Sequence, residues 1–430
     1  MNEALLETYQ KAYRALDLFP LVKSEDIEKY RIDYGREVLV RVKSEINASM
    51  KDGKVIFTGH RGCGKSTLLK RLGIEMQGQH FVVFFSISDL VEPSAVSPIN
   101  ILYSIGLRLL SAATTANVPV PEDIKEELLG WLTKTQKQKT ETVVKSEMGF
   151  GLDKLLQLAT LKLQQEKAFR DEVETVFAKR VSDLVQRLDR LAAGIQTTIK
   201  KPVLVIIDDL DKLELGMAEA LYSKNVKSLF SPKFRIVYTV PIAAIQEPKV
   251  MGALNSEGVV RPYLFPIAKF FPKDQTRNPQ AKPLEKPFQA FLQILQKRIP
   301  EALIEPETAC KMVLMSGGVM RELVRIAREC CTEAMFQLEI DPDRTEVKID
   351  DAVLQVALRN LRLDFARQIT PDLYGVLVRV YQTQKQEDAA DGGFVKLLHG
   401  LMVLEYENDR LWYDVHPIVV DLLRQEGLIE

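Results

Sequence analysis

Gly59-His-Arg-Gly-Cys-Gly-Lys-Ser66 fits the pattern G-x-x-x-x-G-K-[ST] at every position. Upstream, Lys54-Val-Ile-Phe-Thr58 is apolar and β-branched, as a buried parallel strand is. Downstream, Thr67-Leu-Leu-Lys-Arg-Leu72 continues as a helix. Strand, glycine loop and helix in that order make a cradle for a nucleoside triphosphate. Glycines let successive backbone N–H groups converge on phosphate oxygens, and the positive end of the helix faces the anion. The cradle comprises Gly59, His60, Arg61, Gly62, Cys63, Gly64, Lys65, Ser66 and Thr67. Lys65 is expected to reach the β- and γ-phosphates of ATP, and Ser66 to ligate Mg²⁺. Cys63 is either a small residue tolerated in the loop or a thiol whose pKa is lowered by Lys65 and the loop dipoles.

A loop of this kind calls for a second strand ending in carboxylates, and Pro202-Val-Leu-Val-Ile-Ile-Asp-Asp-Leu-Asp211 supplies one. Asp208, at the strand's carboxyl end, is the expected Mg²⁺ partner. Asp209 stands where a base can polarise the attacking water, so hydrolysis of ATP to ADP, and not binding alone, is expected. Asp211 either caps the next helix or meets a basic partner. Phe234-Arg-Ile-Val-Tyr-Thr-Val-Pro241 is a further strand, and two readings stand for Thr239: holder of the water beside Asp209, or simply a good strand former.

The composition is 46% hydrophobic and 27% charged over 430 residues, ordinary for two or three globular domains. A formal net charge of −1 gives no global attraction to nucleic acid or anionic lipid. The four cysteines show no C-x-x-C spacing, which argues against a zinc site or a secreted disulfide framework. No apolar run approaches the roughly 18 residues of a membrane span, and a cytoplasmic protein with no membrane partner is expected.

Residues 1–50 read as a helical lead-in segment, with patterns over 2–18 and about 33–49. Residues 51–275 read as the nucleotide-binding core, with strands at His80–Ile87 and Pro262–Phe270 and a helical insertion at about 112–200. The insertion contains a polar stretch, Thr133–Glu141, and one long helical pattern from about Leu163 to Ile199. Residues 284–345 read as a helical lid in which Gly317 and Gly318 precede a helix carrying Arg321 in its first turn. Arg321 is expected to pair with the β/γ-phosphates and report hydrolysis as a lid movement. Residues 349–430 read as a linker helix followed by helix, short helix, strand, turn, strand and helix, the order of a winged helix. From 371 to 430 there are five Lys or Arg against eleven Asp or Glu, which disfavours DNA as the partner of this module and favours protein contacts.

The order of Gly59–Ser66, Ile206-Ile-Asp-Asp209, Gly317-Gly318 with Arg321 and a terminal winged helix resembles the AAA+/STAND superfamily of P-loop ATPases, related to origin-recognition initiator ATPases. The resemblance implies an α/β fold, a three-layer P-loop sandwich with a parallel sheet in 5-1-4-3-2 order, followed by the lid and the winged helix. It implies a regulatory ATPase switch in signalling or defence, as a homo-oligomer or with a partner protein. The alternative is a nucleic-acid-associated ATPase of the initiator or transposition-regulator kind. Asp209 stands where AAA+ machines usually carry Glu, one methylene longer, so hydrolysis is expected to be slow. Winged helices of STAND relatives lock the ADP-bound state through a histidine at the phosphates. His416 in Asp414-Val-His-Pro417 is the candidate here, with helix capping or burial as its structural alternatives.

Overall fold

The computed structural model describes residues 2–21, 24–121, 123–124, 129, 152–178, 181–341, 344, 346–386, 392–407 and 410–430. The stretch Thr133–Glu141 and the hairpin turn at 408–409 lie outside them. The chain divides into two compact units: Met1–Arg36, Gly59–Thr67 and Phe265–Glu430 form one, Glu37–Thr58 and Leu68–Leu264 the other.

The second unit holds a five-stranded sheet, β1 Lys54–Gly59, β2 Phe81–Ser86, β3 Val203–Asp208, β4 Arg235–Pro241 and β5 Tyr263–Phe265, in the order β2-β3-β4-β1-β5. Read from the other edge this is 5-1-4-3-2, the order expected. β2, β3 and β4 are parallel, with Phe81 opposite Val203 and Ser86 opposite Asp208. Between the strands run α4 Lys65–Met76, α5 Pro98–Thr115, α6 Leu152–Gln165, α7 Lys167–Ala178, α8 Val181–Ile199, α9 Leu215–Glu219, α10 Val226–Phe230 and α11 Pro248–Ser256. These follow α1 Asn2–Ala15, α2 Ser24–Tyr30 and α3 Arg36–Ala48.

Strand alternation sorts the sheet's two faces. Val83, Phe85, Val205 and Ile207 join one buried cluster with Leu102 and Ile105 of α5 and Leu184 and Leu188 of α8. Val82, Phe84 and Ile206 point the other way, onto Gly73 of α4. Helices on both faces of a parallel sheet make the three-layer sandwich. Burying both faces removes the need for polar alternation, which is why β3 is buried along its whole length. Thr58 Oγ1 donates to the Val240 carbonyl at 2.8 Å, tying the end of β1 to β4.

Two expectations need correction. The single helical pattern from Leu163 to Ile199 is three helices, ending at Gln165, spanning Lys167–Ala178 and resuming at Val181, each keeping apolar residues buried. Residues 262–270 supply only a three-residue strand, since Pro262 and Pro266 lack the N–H that would extend the ladder.

In the first unit, α12 Glu285–Gln296, α13 Pro306–Met315 and α14 Met320–Ile340 form the helical segment. α15 Asp351–Ala366, α16 Pro371–Thr383, α17 Gly393–His399, β6 Val403–Glu407, β7 Leu411–Val415 and α18 Pro417–Gln425 follow. β6 and β7 pair antiparallel, with Val403 opposite Val415. The N-terminal segment does not stay together: α1 and α2 belong to this unit, α3 to the sheet unit. α1 is held by the Tyr9 hydroxyl, which donates to the Val347 carbonyl at 2.8 Å, and by Arg328, which donates to Tyr13 Oη at 2.8 Å and covers its ring.

Candidate functional site

β1 delivers the chain into the loop, and α4 begins at Lys65. Lys65 is buried, and its Nζ donates to the carbonyls of Gly59 (2.9 Å) and His60 (2.7 Å) with Cys63 Sγ at 4.0 Å. An ammonium folded onto its own loop carbonyls has neutral acceptors where a phosphate would give charged ones, and charge-assisted bonds are roughly twice as strong. The donor set therefore fits a polyphosphate. Thr67 Oγ1 accepts from the Leu21 N–H at 3.2 Å, and Ser66 occupies the first turn of α4.

The helical segment closes on the loop. The Arg321 N–H donates to the Gly62 carbonyl at 3.0 Å, and a Cβ on Gly62, whose φ is +79°, would lie 2.6 Å from Arg321 Cβ. Only glycine lets the loop pass that close to α14. Gly318 is tighter still: at φ +82° a Cβ would stand 1.8 Å from the Ala268 carbonyl oxygen, while the Ala268 N–H donates to Gly318 at 3.0 Å. The glycine pair thus fixes where Arg321 enters.

The terminal module reaches the same loop. His60 Nε2 accepts the Glu405 N–H of β6 at 2.8 Å, and Arg61 Nη2 meets His399 Nε2 at 2.9 Å. Complete burial, with the Lys65 charge adding to it, pushes the His60 pKa down to about 3 and keeps the ring a neutral acceptor. Burial lifts the Glu405 carboxyl to about 7, against the opposing hydrogen bond from Tyr413. The Tyr406 hydroxyl donates to the Gly317 carbonyl at 2.9 Å.

His416 lies at the start of α18. Its Nδ1 accepts the Ile418 N–H at 3.2 Å, capping α18, and its ring lies 5.1 Å from that of Phe365 with no exposure. Burial, with Arg325 nearby, pushes its pKa down to about 3.

In the sheet unit, β3 ends at Asp208, whose Oδ1 accepts the Asp209 N–H at 2.8 Å. Asp209 sits at φ 70°, ψ 2°, a left-handed turn that Asp tolerates better than most residues because its short side chain bonds locally. Ser86 Oγ donates to Asp209 Oδ2 at 2.6 Å, and Lys212 Nζ lies 2.6 Å from Oδ1. Asp208, Asp209 and Asp211 offer carboxylate oxygens all within 4.8 Å of one another. Such an all-oxygen set suits Mg²⁺. Thr239 is fully buried; its Oγ1 accepts the Leu210 N–H at 3.0 Å and donates to the Ile207 carbonyl at 3.3 Å. It clamps the turn that carries Asp209.

Ser86, His399 and Glu405 join these contacts only in the fold. Ser86 had a signal, a polar residue closing an apolar strand, and the parallel register sets it opposite Asp208. Glu405 had none, because it acts through its backbone N–H.

The sheet order, with a glycine-rich phosphate loop leaving the carboxyl end of β1, defines an α/β protein of the P-loop nucleotide-binding class. No family model matches the chain, and no curated protein does. Among solved structures it is similar to the Orc1 protein of Aeropyrum pernix in complex with DNA, at 12% identity and TM-score 0.41, covering 97% of each chain. It is similar to Cdc6p of Pyrobaculum aerophilum at 12% identity and TM-score 0.37, covering 96% of this chain and 98% of that one. Drosophila ORC bound to DNA matches at 10% identity and TM-score 0.36, covering 96% and 91%. No helix among the described residues is long and apolar enough to cross a membrane.

Proposed function

We propose that this chain is an AAA+-type ATPase that binds ATP·Mg²⁺ and hydrolyses it slowly, coupling nucleotide state to the position of its own C-terminal module. The observation that carries the reading is the clasp on the phosphate loop: His60 accepts from Glu405, Arg61 meets His399, and Arg321 is anchored on Gly62. A loop that binds a triphosphate while being held by a terminal module transmits occupancy to that module. Lys65, Arg321 and the loop N–H groups hold the phosphates, and Ser66 and Asp208 hold the ion. Asp209 orients the attacking water, with Thr239 fixing its turn. Bound Mg²⁺ would supply charge neutralisation at the phosphates.

For the setting, a nucleic-acid-associated ATPase of the initiator kind is proposed ahead of one in signalling or defence. Two of the similar structures are described in complex with DNA. Against it stands the acidic balance of residues 371–430, five Lys or Arg against eleven Asp or Glu, so DNA contact would have to come from elsewhere.

The test is nucleotide binding and turnover for wild type, Lys65→Ala and Asp209→Ala, each with and without duplex DNA at two salt concentrations. Lys65→Ala should lose binding, and Asp209→Ala should bind ATP without turning it over. Equal turnover in all three proteins ends the proposal. DNA-stimulated turnover that falls steeply with salt selects the initiator-like setting; its absence returns the protein to a purely protein-coupled switch.

A further inference from the structure

Beside the clasp, and separate from the phosphate loop, a cavity of about 360 Å³ opens between the helical segment and the terminal module. Its volume is that of a small-ligand pocket. Leu314, Met315 and Gly317 close it on the α13 side, and Val415, Pro417 and Val420 on the other. The polar side of its lining is built for a flat molecule. Arg277 lies over the Tyr381 ring, 3.9 Å from its centroid, and is fixed in plane by both carboxylate oxygens of Asp414. Tyr406 and Trp412 stack on each other, with centroids 4.4 Å apart, along the same wall.

Two groups in this lining lack what they need. Trp412 is 1% exposed, and its Nε1 has no hydrogen-bond partner among the described residues. A buried indole N–H without an acceptor is uncommon and marks a place for one. Lys269 makes no ion pair among the described residues, whereas Arg277 is matched by Asp414 and Arg424 by Asp421. The pocket therefore carries one cation more than its carboxylates balance.

We propose that this cavity binds a nucleotide unit, a planar base carrying one phosphodiester charge, with the ring against Tyr381 and Tyr406 and the anion at Lys269. Aromatic faces stack bases without strong preference among them, and a single phosphodiester supplies the one charge the lining lacks. Such a ligand has two sources, a free cyclic mononucleotide or one residue of a single strand. In either case it touches both Gly317 and the β6–β7 hairpin, the two elements joined by the Tyr406–Gly317 bond, so its occupancy bears on the clasp.

Intrinsic fluorescence reads this directly. In a Trp131→Phe background Trp412 is the sole tryptophan of the chain, since there are two in all. Titration with a 3′,5′-cyclic mononucleotide and, separately, with a short single-stranded oligonucleotide should give saturable quenching with at least one. Quenching by the oligonucleotide alone assigns the strand as the source; quenching by the cyclic nucleotide assigns the free ligand. Lys269→Glu and Tyr381→Ala should each weaken it about tenfold or more, and Lys65→Ala should leave it unchanged. No saturable change with either probe up to about 1 mM overturns the proposal. So does loss of the signal in Lys65→Ala, which would place the probe in the phosphate loop. Because the readout is independent of ATP turnover, it stands or falls apart from the ATPase reading.

Discussion

Replacing His399 with alanine removes the partner that Arg61 reaches at 2.9 Å, without touching the phosphate loop itself. A hydrogen bond to a charged group contributes about 1.5–3 kcal/mol when buried. Arg61 and His399 are only half-buried, so solvent screening reduces this to about 1 kcal/mol, which is about fivefold in the ratio of clasped to released module. The Glu405 amide reports that ratio, because its N–H is held by His60 at 2.8 Å and is covered only while β6 sits on the loop. Hydrogen exchange should therefore speed up about fivefold at Glu405 in His399→Ala, while amides in the middle of β3 keep their protection. If the clasp restrains the loop, ATP turnover rises by a similar factor. Unchanged exchange at Glu405, or faster exchange with turnover unchanged or reduced, would refute the coupling.

Gly318→Ala should unseat the helical segment. Its Cβ would stand 1.8 Å from the Ala268 oxygen at a φ of +82°, so a loss of several kcal/mol is expected, measured by denaturant unfolding. Thr239→Val keeps the shape but strips the acceptor from the buried Leu210 N–H, costing about 1–3 kcal/mol and lowering turnover more than ATP affinity, since the turn carrying Asp209 loses its clamp. The pH dependence has opposite signs on its two sides. His60 and His416, held near 3 against an ordinary 6.5, bind fewer protons folded than unfolded, so their contribution is complete above about 6.5 and is lost as pH falls toward 3. Glu405, raised to about 7 from 4.5, binds more protons folded than unfolded, so stability declines as pH rises from 4.5 to 7. Glu405→Gln should therefore gain on wild type with rising pH, by up to about 3 kcal/mol at pH 8, and lose that advantage near pH 4.5 in thermal melts.

The sequence by itself determined the glycine loop between strand and helix and the carboxylate strand. Both are local patterns: a glycine loop must follow an apolar strand and open a helix, and β3 must end in acids, whatever surrounds them. The two-sided burial of β3 was legible for the same reason, as an unbroken apolar run. Tertiary structure alone decided which residues hold those patterns in place. Ser86 comes beside Asp209 through strand register, and Thr239 meets Leu210 across two strands. His60 and Glu405, 345 residues apart, are joined through a backbone N–H that no residue type announces. His416 carries two readings in the sequence because a histidine before proline can cap or reach outward, and its cap on α18 and its burial beside Phe365 arise only from packing. Local geometry is written in neighbouring residues, whereas a contact between distant segments depends on how the whole chain packs.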